Sequence, residues 1–155
     1  MKALAHLRSV AIQQAVAKTP HVPISAIAIS RYSDVSANGL TKCIIDFLRM
    51  SGCQAERVSV EGRVIDTRKT YINVGGYRKT IGSVKRIKSS GQKGSADVSA
   101  TIRGVSVKIE IKVGRDVQSK AQKEYQAQIE KSGGVYLIAR NFQEFYDWFD
   151  SFKKG

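Results

Sequence analysis

Asp97, Glu110 and Lys112 are the side chains whose types and spacing best suit chemistry in this chain. The stretch from Asp97 to Lys112 reads as a hairpin turning at Arg103-Gly104, because glycine accepts the positive φ of a tight turn. With Ile102 facing Val105, Asp97 falls opposite Glu110, Ser99 opposite Lys108 and Thr101 opposite Ser106. Side chains alternate along a strand, and opposed residues share a face. One face then carries Val98, Ala100, Ile102, Val105, Val107, Ile109 and Ile111, all apolar. The other carries Asp97, Ser99, Thr101, Ser106, Lys108, Glu110 and Lys112, all polar. So complete a separation supports the register.

That register sets two carboxylates side by side with Cβ atoms roughly 5 Å apart, which destabilises a sheet unless a cation neutralises them. Hard carboxylate oxygens suit Mg2+ or Mn2+. Lys112 emerges on the same face, roughly 7 Å beyond Glu110. A metal held there could polarise a phosphate oxygen and acidify a bound water, while the lysine holds that water or stabilises charge. A Glu-x-Lys on the polar face of a strand is also an ordinary solvated pattern. Asp97 across from it singles this one out, since Lys108 and Lys112 only flank the pair diagonally.

The elements that must position these residues are legible in the hydrophobic periodicity. Residues 2–18 read as a helix with Leu4, Leu7, Val10, Ala11 and Ala15 on a loose stripe, stopped by Pro20 and Pro23. The segment that follows is poorly periodic, so residues 1–36 are read as an N-terminal helical extension and connector, and 37–155 as the catalytic domain. Leu40, Cys43, Ile44, Phe47 and Leu48 recur at helical spacing up to a stop at Gly52. Short β-branched runs then follow, broken by hairpin signals at Glu61-Gly62 and Gly75-Gly76. Beyond the Asp97 hairpin, a helix is expected over 118–131 with Val117, Ala121, Tyr125 and Ile129 on one stripe. Gly133-Gly134 ends it, 135–139 reads as a buried strand, and a last helix runs from Asn141 to about Lys153 with an aromatic face. The element order means an α/β or α+β domain, with α/β as the expected fold class, a mixed β-sheet flanked by helices.

The charge points to a polyanion. The chain has 155 residues with 26 Lys and Arg against 13 Asp and Glu, a formal charge of +13, and such a field captures nucleic acid. From Thr67 to Ala96 there is no acidic residue, while Arg68, Lys69, Arg78, Lys79, Lys85, Arg86, Lys88 and Lys93 all fall there. Lys79, Lys85, Arg86, Lys88, Ser90 and Lys93 are the expected phosphate contacts, and Tyr71 and Tyr77 could stack on unpaired bases. Contacts of this kind fix position without reading sequence and weaken with salt. No segment has the length of a transmembrane helix, and no signal peptide is read. Two cysteines at this spacing suit neither a zinc site nor a disulfide scaffold, so reduced thiols in a cytoplasmic protein are expected.

Gly94-Ser95-Ala96-Asp97, Ile109-Glu110-Ile111-Lys112, Gln118 and Gln122 on a helix, and Gly133-Gly134-Val135-Tyr136 together form an ordered pattern. It resembles that of the virus-type replication-repair nuclease (VRR-NUC) family within the PD-(D/E)XK nuclease superfamily, over roughly residues 38–145. The resemblance implies a restriction-endonuclease-like core in which Asp97, Glu110 and the main-chain carbonyl of Ile111 bind Mg2+ or Mn2+. It implies that Lys112 assists the attacking water and that Gln122 lies close to the site, with Gln118 counted among the nucleic-acid contacts. The implied activity is hydrolysis of DNA phosphodiester bonds, structure-selective in the manner of Holliday junction resolvases, with branched DNA as substrate, a homodimer among the expectations and a prokaryotic or phage setting. Junction, flap and nicked duplex remain open as substrates. One departure stands out: the superfamily usually carries a glutamate on its first core helix, whereas Asn38 to Lys42 holds no acid, with Asp34 and Asp46 as substitutes. That weakens a second metal site. The alternative is a non-catalytic basic DNA- or RNA-binding module in which the carboxylate pair is structural or vestigial.

Overall fold

A computed structural model describes residues 2–59, 62–87 and 91–154. It divides into two compact units, residues 1–58 with 94–155, and residues 59–93.

The first unit begins with α1 (Lys2–Lys18), a short 3-10 turn at Ile24–Ala26 and α2 (Ala37–Met50). Ser36 caps α2 by accepting the Gly39 N–H at 3.1 Å, and a Cβ at Gly39 would collide with the Ser33 carbonyl. Its sheet comprises β1 (Gln54–Arg57), β6 (Val98–Ile102), β7 (Val105–Ile111) and β8 (Val135–Ala139), in the order β1-β6-β7-β8. Neighbours are antiparallel except β7 and β8, which run parallel. A parallel pair needs a crossover, and α3 (Lys120–Lys131) supplies it. The chain closes with α4 (Phe142–Lys154).

The β6–β7 ladder has Val98 opposite Ile109, Ser99 opposite Lys108 and Ile102 opposite Val105, the register expected from the Arg103-Gly104 turn. Arg103 itself adopts φ 53° and Gly104 φ 80°, the two positive angles that a tight hairpin turn demands. Val98, Ala100, Ile102, Val107, Ile109 and Ile111 are buried in one core with Leu40, Ile44 and Leu48 of α2 and with Phe142, Phe145 and Phe149 of α4. The Phe47 ring meets those three phenylalanines edge-on at 5.1 to 6.2 Å. Each such ring adds about 1.5–3 kcal/mol through burial. Ala3 and Leu7 of α1 belong to the same core, so the helix read as an extension packs on α2 and α4.

Two other expectations change. Helix α3 starts at Lys120, and Val117 lies outside it, 72% exposed, because Ser119 caps the helix and fixes its first turn. Glu61 lies outside the described residues, but the strands flanking Glu61-Gly62 do not form a hairpin: β1 pairs with β6, and β2 (Arg63–Asp66) with β5 (Val84–Ile87). The β-branched run after β1 finds its partner beyond a second, inner hairpin instead.

That inner hairpin, β3 (Lys69–Ile72) and β4 (Arg78–Ile81), completes the second unit as a two-stranded ribbon. It turns at Gly75-Gly76 as expected, where Asn73 accepts the Tyr77 N–H on its side chain at 2.8 Å. Among the described residues no helix is long and apolar enough to cross a membrane.

Candidate active site

Strand β7 presents Glu110 on the face away from the aromatic core, and α3 covers it there. The start of α3 is held by a capping box, in which the Ser119 hydroxyl accepts the Gln122 N–H at 3.3 Å and Gln122 Oε1 accepts the Ser119 N–H at 2.8 Å. The other end of the same amide, Gln122 Nε2, donates to Glu110 Oε1. One side chain thus fastens the helix start to the carboxylate. Gly94, at φ 84°, lies so close to the Ala121 carbonyl and the Gln122 nitrogen that any Cβ would clash. The loop entering Asp97 is thereby pressed against α3.

Continuing the β6–β7 register by one step sets Asp97 across from Glu110. Asp97 Oδ2 accepts the N–H of Ile111 at 2.9 Å, standing in for a ladder partner where β6 has not yet begun. On a regular strand a residue's N–H and C=O leave on the same edge, so the Ile111 carbonyl also emerges toward Asp97. Lys112 Nζ lies 3.0 Å from Glu110 Oε1 and 3.2 Å from Asp116 Oδ2. Tyr136 donates its hydroxyl to Glu110 Oε2 at 3.4 Å. Glu110 and Lys112 are only 2% and 6% exposed.

Burial pushes the Glu110 carboxyl above the usual glutamate range, and the Asp97 charge pushes it further; the bonds from Lys112 and Tyr136 pull the other way without cancelling this. Burial opposes the Lys112 ammonium, but the Glu110 and Asp116 carboxylates outweigh it and hold the lysine charged. Burial and the Glu110 charge raise the Tyr136 phenol, which stays a proton donor. A buried pair of this kind is weak as a source of stability and common where chemistry is done.

Asp97, Glu110, Ile111, Lys112 and Gln122 are therefore gathered at one place. Gln118 is half-buried beside them, donating to Gln126 at 2.9 Å and hydrogen-bonded to Tyr136. Lys79, Lys85 and Arg86 lie exposed on the ribbon unit, as Lys93 does in its last residue, while Lys88 and Ser90 fall outside the described residues. The substitute acids are occupied elsewhere: Asp34 accepts the Phe142 N–H at the start of α4, and Asp46 pairs with Lys42. Asn38 accepts from Arg57 instead of contributing a charge.

Two opposed carboxylates with a nearby main-chain carbonyl fit one hard divalent cation in donor chemistry. Among the described residues no group of three or more His, Cys, Asp or Glu side chains is placed to hold a metal.

Sequence reasoning missed Tyr136 and Asp116 as partners of the site. Asp116 carried no usable signal, since a four-residue spacing brings side chains together on a helix, whereas the chain turns here, with the Asp116 N–H donating to the Val113 carbonyl. Tyr136 carried none, because only the parallel pairing of β8 to β7, with Tyr136 beside Lys108, turns it to this face. No protein-family model matches the chain, and no curated protein matches it in sequence.

Proposed function

We propose that this protein is a metal-dependent DNA endonuclease of the PD-(D/E)XK type, resembling the VRR-NUC family and selective for branched DNA. The carrying observation is the buried Glu110 carboxylate, opposed by Asp97 and shared between the Lys112 ammonium and the Gln122 amide. A four-stranded mixed sheet flanked by helices is the coarse architecture that this reading requires.

Asp97, Glu110 and the Ile111 carbonyl would hold Mg2+ or Mn2+, which when bound supplies charge to the scissile phosphate and lowers the pKa of a water. Lys112, kept protonated by two carboxylates, aligns the attacking water or meets the charge that develops on phosphate. Gln122 holds the Glu110 carboxylate in one orientation, and Asp116 holds Lys112 from the other side. Tyr136 occupies the second Glu110 oxygen as a neutral donor, so it orients the carboxylate without adding charge.

A second reading, a non-catalytic nucleic-acid-binding module, is favoured by one fact: Glu110 already has partners for both oxygens within the chain. Cleavage of labelled four-way junction, flap and linear duplex DNA in Mg2+ or Mn2+ separates the two. The nuclease reading expects cutting that Asp97→Ala, Glu110→Ala and Lys112→Ala each reduce by at least about 100-fold, the scale of losing one electrostatic contributor. Tight binding with no cutting in either metal would leave the binding module.

A further inference from the structure

We infer that the ribbon of residues 63–87 is a groove-reading arm that enters the major groove of B-form duplex DNA. The inference rests on the DNA-partner part of the reading above and is independent of catalysis.

Between Gly62 and Ile87 the chain carries seven cations, Arg63, Arg68, Lys69, Arg78, Lys79, Lys85 and Arg86, against one acid, Asp66. That acid is already neutralised by Arg68 at 2.7 Å. Of the eight opposed pairs in the ribbon, six join a cation to an aliphatic or aromatic side chain, among them Tyr71 with Lys79, Ile72 with Arg78 and Val64 with Arg86. Because opposed residues share a face and faces alternate, cations and apolar groups emerge on both sides of the ribbon. Five of the six apolar members are exposed, Ile72 to 70% and Ile81 to 56% among them, while Ile65 is half-buried; Tyr77, beside the turn, is exposed to 73%.

Lysines alone would be an ordinary guard against edge-to-edge aggregation. That role does not account for solvent-facing Ile72, Val74, Tyr77 and Ile81 interleaved with them. Nor does a flat anionic surface such as a membrane, which would select one basic and apolar face and leave the other polar. A groove has two walls of phosphate and a floor of base edges and methyl groups, which is what two mixed faces match.

Width decides which groove. Paired strands stand about 4.8 Å apart, and with side chains the ribbon is roughly 10 Å across. The B-DNA major groove, about 12 Å wide, admits a two-stranded ribbon, whereas the minor groove, about 6 Å wide, does not. The A-form major groove of double-stranded RNA is too narrow for side chains. An open concavity lined by Thr70, Tyr71, Ile72, Arg78 and Thr80 lies on this ribbon, and Thr70 and Thr80 present a hydrogen-bonded hydroxyl pair 3.1 Å apart with one proton left to donate to a base edge or phosphate. Asn73 is spent on the turn, which leaves the contacts to the strands.

The test uses the full chain without divalent metal, on a B-form DNA duplex, the same sequence as double-stranded RNA, and the single strand. Preference for duplex DNA is expected, with dimethyl sulfate protection at guanine N7 in the major groove and none at adenine N3 in the minor. Joint replacement Arg78→Gln/Lys79→Gln should lower the slope of log affinity against log salt by about 0.9 per cation removed, and erase the N7 protection. Equal or tighter binding of RNA or single strand, protection at adenine N3, or an unchanged salt slope would each overturn the inference. The footprint on the unaltered chain decides it even if the double variant misfolds. A chain that binds and protects N7 yet never cuts fails only the nuclease reading.

Discussion

Glu110 and Lys112 form the pair on which the proposed chemistry rests, and their burial makes the pair measurable without substrate. Lys112→Met removes the ammonium while leaving Glu110 buried at 2% exposure, so it leaves a charge uncompensated. Breaking a buried pair in this way costs about 3–5 kcal/mol. Urea unfolding should show that loss at neutral pH and a much smaller one when Glu110→Gln is combined with it. The raised Glu110 carboxyl also sets a pH dependence. The native state keeps a proton on Glu110 at pH values where the unfolded chain has released it, so this group's contribution is complete below the ordinary glutamate range. It is lost as pH rises through the elevated native value. Metal-free protein should therefore lose stability as pH rises above the ordinary glutamate range, a loss that Glu110→Gln flattens, with melting temperature against pH as the check.

At the scale of elements, α3 works as a clasp more than as a source of core. None of its residues is fully buried, yet its first turn holds the site through Ser119 and Gln122, and its backbone presses on Gly94. Ser119→Ala should cost about 1 kcal/mol through the lost cap. It should also free the Gln122 backbone N–H that the Ser119 hydroxyl accepts, loosening the turn from which Gln122 reaches Glu110, so activity falls further than stability predicts. Gly94→Ala must force a methyl into the Ala121 carbonyl at a positive φ, and strain of this kind costs on the order of 1–3 kcal/mol. Because the strain sits between the Asp97 loop and α3, cleavage should drop while the DNA affinity proposed for the ribbon is kept; unchanged cleavage in a folded Gly94→Ala protein would show that the clasp is dispensable.

At the scale of the whole molecule, two kinds of surface coexist: a core built from α1, α2, α4 and one sheet face, and a ribbon whose strands have little burial at all. Leu7 is fully buried, so Leu7→Ala should destabilise by about 2–5 kcal/mol, whereas Val74→Ala at the exposed ribbon tip should stay within about 0.5 kcal/mol. Chemical denaturation of the two variants checks both. The sequence by itself determined the Asp97–Lys112 hairpin, its register and the separation of its faces, because period-two alternation and a turn glycine are local rules. It likewise determined α2, β8 and α4, whose apolar spacing is strong. Tertiary structure alone decided that α1 joins the core, since its stripe is weak and only packing on α2 and α4 gives it a partner. It decided that β1 pairs with β6 across a long insertion, a choice no local turn signal encodes. It decided that Tyr136 reaches Glu110 and that Gln122, expected near the site from the family pattern, bonds that carboxylate, because a parallel crossover brings distant segments onto one face, and the burial that raises the Glu110 carboxyl exists only once α3 has closed over it.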